Sequence, residues 1–308
     1  MDMDSRTGPR PRGRLAGGSL VLCVAVCCAP GRADPAETEV FPKLDSPAIY
    51  SDAASALASR LRLNRHPDPA LDGRFLLFGS VAVDMLPMPP ASLGHPQVFV
   101  RDLLSGTTGL ISAEAGPSAQ AGRAVSTPVD ISAEGRWVLF TSAATGLDGE
   151  TVDDNSLQDV FLHDRATGST RLVSRSAADP MRAANGGSQA VDLSADGRWI
   201  LFTSTATDLV TGLVDANGVD DVFLYDSQTG EVRCVSRAAG GGSVGSGRSE
   251  AVALSDDGNW IAFHSTAPDL AGGIADPAPW SDVFVHERLS AQTQLVSRSA
   301  SGGGPANF

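Results

Sequence analysis

One phrase returns four times along the chain: LDGRFLLFGS at 71–80, AEGRWVLFTS at 133–142, ADGRWILFTS at 195–204 and DDGNWIAFHS at 256–265. Its glycines, Gly73, Gly135, Gly197 and Gly258, are spaced by 62, 62 and 61 residues. A fixed period of this size marks an array of like supersecondary units, each of which needs neighbours to bury its faces.

Each unit carries four short strand signals. In the third they are SQAVDLS (188–194), RWILFTS (198–204), DVFLYD (221–226) and EVRCVS (231–236). Asp196-Gly197 between the first two is a hairpin signal. Asp226 to Gly230 supplies a second tight turn, with Asp102 to Gly106 and Asp164 to Gly168 matching it. Trp199, Ile200, Leu201 and Phe202 are apolar in succession, so this strand presents apolar side chains to both faces and expects a sheet on each side. Four-stranded antiparallel units covered on both faces are the blades of a β-propeller. Ser194-Ala-Asp196-Gly197-Arg-Trp199-Ile-Leu-Phe202, followed by Asp221 to Asp226 and Thr229-Gly230, resembles the WD-like repeat of the TolB-like propeller family over about residues 64–299.

The expected fold is therefore all-β, a propeller of four recognisable blades. The resemblance implies a secreted or periplasmic module that binds partners. The blades are longer than the ~40–45 residues usual for such repeats, and relatives usually have more than four. The array is either a small closed ring or an incomplete, open one. Trp137, Trp199 and Trp260, with Gly135, Gly197 and Gly258, are expected to hold blade to blade.

Residues 1–33 read as an export signal. Four arginines precede an apolar run from Leu15 to Ala29, and Gly31-Arg32-Ala33 offers small residues for cleavage. The run is short for a membrane span, so the mature chain is expected to have none. The residues before Cys23, Cys27 and Cys28 fit lipoprotein anchoring less well than cleavage. Residues 34–63 are expected to form a linker with a short helix over 51–63, and 300–308 a tail. Without residues 1–33 the chain keeps 18 basic and 34 acidic groups, a formal charge of −16. That balance argues against nucleic acid as a partner and leaves a protein or envelope component. Cys234 is then the last cysteine, expected in the core.

The connections from second to third strand and from one unit to the next are long. They should share one face, where recognition is expected. In the second and third units Asp153, Asn155 and Asp159, and Asp215, Asn217, Asp220 and Asp221, place oxygen side chains on a short turn. Calcium is the cation such a set suits; the competing reading is side-chain capping of the turn. The fourth unit keeps Asp276 and Asp282, and the first has Gln97. Arg175, Arg237 and Arg298 close the fourth strands. They could hold an anion, though pairing with Asp159, Asp221 and Asp282 is the favoured reading.

No catalytic set is legible. His163 and His286 occupy a slot that Tyr225 and Arg101 fill elsewhere, which reads as tolerant surface, and His264 reads as a packed strand residue. The reading is a non-catalytic binding or scaffolding propeller, with a glycan- or peptide-directed hydrolase and a calcium-stabilised envelope protein as alternatives.

Overall fold

The computed structural model describes residues 62–65, 72–82, 85–86, 94–116, 120–272, 280–300 and 305. The expected export signal, most of the expected helix, Asp276 and most of the tail lie outside the described residues. Regular structure within them is entirely β. The first sheet is β1 (Arg62–Leu63), β2 (Phe75–Ser80), β3 (Gln97–Asp102) and β4 (Thr107–Leu110), the second β5 (Ser126–Ile131), β6 (Trp137–Ser142), β7 (Asp159–Asp164) and β8 (Ser169–Leu172). The third is β9 (Ser188–Leu193), β10 (Trp199–Ser204), β11 (Asp221–Asp226) and β12 (Val232–Cys234), the fourth β13 (Ser249–Leu254), β14 (Trp260–Ser265), β15 (Asp282–Glu287) and β16 (Gln292–Leu295). Each is an antiparallel meander in sequence order. Arg62 and Leu63, expected to end a helix, form β1 instead and pair with Leu77 and Leu76.

The sheets stack face to face as propeller blades. Alternation along the second strand of each blade explains how one sequence serves two neighbours. Leu201 joins Val222 and Leu224 in packing on Ile261, Phe263 and Phe284 of the next blade. Ile200 and Phe202 point the other way, onto Leu139, Val160 and Leu162 of the preceding one. Within each blade a phenylalanine pair stacks across the middle strands, as Phe202 on Phe223 with centroids 5.6 Å apart.

The recurring Gly-Arg-Trp phrase acts as a lock between blades. Gly197 has φ +75°, and a Cβ there would lie 2.1 Å from Trp137 of the preceding blade. Gly135 receives Phe75 and Gly258 receives Trp199 in the same way. Glycine is therefore required twice, for a left-handed turn and for close approach of an aromatic ring. The next residue ties the blade internally. Arg198 grips Asp226 with two hydrogen bonds of 3.0 and 2.7 Å, and its guanidinium lies 4.7 Å from the Trp199 ring centre. Arg74–Asp102 and Arg136–Asp164 repeat the grip.

The array is open. Successive blades share packed strands, whereas no comparable packing joins the first blade to the fourth among the described residues. Trp199 is 5% exposed, covered by the fourth blade, but the matching Trp260 is 45% exposed. Val252, Val283 and Val296 are exposed on the same face. Trp260 thus departs from the inter-blade role expected of it, because no described fifth blade covers it.

Candidate functional site

The long connections do meet on one face, and they pair with each other. Val152 bridges Arg182, and Val214 bridges Ser243, each pair in parallel. The residue after each bridge is Asp153 or Asp215, whose carboxylate oxygens are buried and accept no hydrogen bond. Close by, Asp159 accepts from Ser174 Oγ at 2.5 Å and from Asn155 Nδ2 at 3.3 Å. Asp221 accepts from Ser236 Oγ at 2.7 Å and Asn217 Nδ2 at 2.9 Å. Burial pushes the Asp159 carboxyl up to about 7 and that of Asp221 to about 6, with Asp153 and Asp215 adding like charge.

Asp220, expected in the same set, is instead held by Arg248 at 2.7 Å. Both asparagine Oδ1 atoms cap the turn, accepting from the N–H of Leu157 and Val219. Among the described residues no group of three or more His, Cys, Asp or Glu is placed to hold a metal.

The arginines do not pair with Asp159, Asp221 and Asp282. Serine hydroxyls one residue earlier, on Ser174, Ser236 and Ser297, already occupy those carboxylates. Arg175 turns to Asp148, 2.6 Å away, which also accepts from the Leu172 N–H. Val210 and Ala271 stand where the repeat would place Asp148 in the third and fourth blades. Arg237 and Arg298 consequently have no carboxylate partner among the described residues; Arg298 Nε donates to the Leu295 carbonyl.

Both arginines line a groove of about 950 Å³ between the outer strands β12 and β16, running from the Arg288 turn to the long loops at Ala239 and Gly272. The groove exists because a bridge is missing. Between the second and third blades Arg171 reaches across to the Tyr225 hydroxyl and the Ser227 carbonyl. Between the third and fourth, Arg233 turns back to Glu231 at 2.9 Å. His286, in the place of Tyr225, bonds Thr293 at 2.9 Å.

His163 is buried against Thr170, so the slot it shares with His286 is not the tolerant surface expected. Burial lowers the pKa of His163 to about 4 and that of His286 below its usual range. Cys234 is in the core as expected, its thiol pushed up to about 12 by burial, which leaves it inert at neutral pH.

Two groupings were missed by the reading of the sequence. Asp130 and Asp192 meet along the innermost strands, and burial first, then Asp192, raises the Asp130 carboxyl. Asp192 accepts the Leu254 N–H at 2.7 Å, extending this ladder to the fourth blade, where Ala253 ends it. On the open face, Ser281 Oγ is 3.2 Å from His264 Nδ1, and His264 Nε2 is 3.3 Å from Glu250. All three depart from the repeat at once, a signal readable by aligning the units. The set is solvent-exposed and Glu250 is shared with Arg248 at 2.6 Å, so it lacks the enclosure that makes a serine strongly nucleophilic.

No family model matches the chain, and no curated protein does. Solved structures do. The chain is similar to TolB-like propellers. TolB from Acinetobacter baumannii is 16% identical over 77% of this chain, with a TM-score of 0.38. The chain spans 42% of that protein's length. The β-propeller domain of the Trilobed protease from Pyrococcus furiosus, described as having an open velcro topology, is 11% identical over 77% of this chain and 56% of its own, at 0.41. Dipeptidyl peptidase 4 from Porphyromonas gingivalis is 12% identical over 79% of this chain and 33% of its own, at 0.42. At such scores the likenesses carry no functional argument, and the assignment of blades rests on the four sheets themselves.

Proposed function

We propose that the chain is an exported, non-catalytic propeller of the bacterial envelope or exterior. In this reading it binds a carboxylate-bearing segment of a partner protein in the groove between the third and fourth blades. The observation that carries it is the pair Arg237 and Arg298, both lining a groove of about 950 Å³ and having no acidic partner among the described residues. Guanidinium groups without a partner at a concave surface recognise carboxylates bidentately, and the formal charge of −13 over the full chain makes such a local basic site selective rather than general. The test is fluorescence anisotropy of a labelled poly-glutamate peptide against the full chain and the Arg237→Ala/Arg298→Ala variant. Saturable binding that weakens about tenfold or more per arginine, ~1.4 kcal/mol each, is expected. Equal affinity for both proteins, or no preference over a poly-lysine peptide, refutes it.

The hydrolase alternative keeps one supporting observation, the Ser281–His264–Glu250 chain of contacts. Covalent labelling of Ser281 by a fluorophosphonate, abolished in His264→Ala, would replace the binding reading with an enzymatic one.

A further inference from the structure

Among the described residues the buried carboxylates of the second and third blades lack a counter-charge, and the first blade shows what the position needs structurally. There Gln97 stands where Asp159 and Asp221 stand. Its Oε1 accepts the Ser112 hydroxyl at 2.6 Å and its Nε2 donates to the Gly122 carbonyl at 2.9 Å. A neutral amide thus holds the serine and the following loop by itself. The later blades divide the same work between an aspartate, which takes the serine, and an asparagine, whose Nδ2 donates to Ala184 at 2.9 Å or Gly245 at 2.8 Å. The charge on the aspartate is superfluous to that work.

A second carboxylate is then set beside it. Asp153 is 9% exposed and neither of its oxygens accepts a hydrogen bond. The Asn155 N–H lies near enough to favour its charge but out of bonding geometry. Asp215 is half-buried as a residue, but both of its carboxylate oxygens are likewise buried and accept no hydrogen bond beside Asp221. The nearby arginines are engaged elsewhere, Arg182 with Asp154 and Arg248 with Asp220 and Glu250. Two adjacent buried carboxylates without a cationic side chain are strongly unfavourable unless a proton or a metal ion sits between them. The same arrangement in two separate blades makes an accident of one loop a poor explanation.

We infer that the loop after the second strand binds one hard divalent cation, of the calcium type, in each of two blades: between Asp153 and Asp159, and between Asp215 and Asp221. The side chains offered are oxygen donors, and each asparagine nitrogen donates to a loop carbonyl and to Asp159 or Asp221, so no nitrogen or sulfur lone pair of the kind zinc takes is offered. Two carboxylates leave the remaining positions to loop carbonyls and water, as calcium's variable coordination allows. Binding is therefore modest, with a Kd of about 10⁻⁴–10⁻³ M as in other extracellular modules. An ion there would fasten the paired long loops at Val152–Arg182 and Val214–Ser243 to the body of each blade.

The experiment is calorimetric titration of the chelator-treated full chain with calcium chloride, with magnesium chloride as a parallel arm and thermal melting as an independent readout. The variants are Asp153→Asn, Asp215→Asn and the double variant, which keep side-chain shape and remove one buried charge each. Two equivalents of calcium for the wild type, one for each single variant and none for the double variant are expected, together with a calcium-dependent rise in Tm that disappears in the double variant. Absence of calcium binding up to 10 mM overturns the inference, as does binding that the double variant retains. Stronger binding of magnesium than of calcium overturns the assignment to calcium-type coordination.

Discussion

Replacing Gly197 by alanine tests the lock between the second and third blades. Two costs arise there. Alanine at φ +75° sits in the left-handed region, a penalty of roughly 1–2 kcal/mol. Its Cβ would also lie 2.1 Å from Trp137 Cδ1, far inside contact distance. The ring is wedged between blades, so relief requires a shift of packed side chains, and overpacking of this kind costs about 1–3 kcal/mol. The sum is ~2–5 kcal/mol. Gly230 provides the control: its φ is +77°, but nothing lies within 4 Å of its Cβ position. Gly230→Ala should therefore cost only the backbone part, ~1–2 kcal/mol. Urea unfolding of both variants, analysed at a common m-value, separates the two contributions. Equal destabilisation within ~0.5 kcal/mol would show that the Trp137 contact is not a lock.

Trp199→Ala should cost ~3–5 kcal/mol by leaving a cavity between blades, whereas Trp260→Ala, on the open face, should stay within about 1 kcal/mol; urea titration distinguishes them. His163 is held neutral, its folded pKa lowered to about 4 from the ordinary 6.5. Its contribution is thus fully present above pH 6.5 and is lost as pH falls towards 4, up to roughly 3 kcal/mol. His163→Gln should flatten the stability profile in that window, and an unchanged profile would contradict the burial argument. Cys234 should resist thiol reagents at pH 8 in the native chain and react on unfolding, a difference readable by absorbance with a chromogenic disulfide. Export predicts a mature N-terminus at Asp34 in the periplasmic or extracellular fraction; intact Met1 in that fraction would contradict it.

The strands were readable because the same phrase, repeated in register, reports strand, turn and strand at each occurrence. The second strand's Trp-Ile-Leu-Phe run announced a sheet with neighbours on both faces, and the structure assigns those residues alternately to the two. The partners of Arg175, Arg237 and Arg298 were not readable. The acid that matters, Asp148, lies 27 residues before Arg175 in a loop, and it is replaced by Val210 and Ala271 in the later units. Local charge pairing pointed to Asp159, Asp221 and Asp282 instead, because sequence does not reveal that a serine hydroxyl has already taken each carboxylate. The burial of Asp153 and Asp215 was equally hidden. It follows from loops of different connections pairing above them, a contact with no local pattern. The first unit's inner strand fell at Arg62–Leu63, upstream of the proline-rich stretch, where helix-forming residues masked a two-residue strand.

The fold is a set of sheets covered by their neighbours, in an array that ends, among the described residues, at the fourth blade. Acrylamide quenching of variants retaining Trp199 or Trp260 as the sole tryptophan addresses this directly. Trp199 should be shielded, with a quenching constant several-fold below that of Trp260. Equal accessibility, or a Trp260 as protected as Trp199, would contradict the open stack.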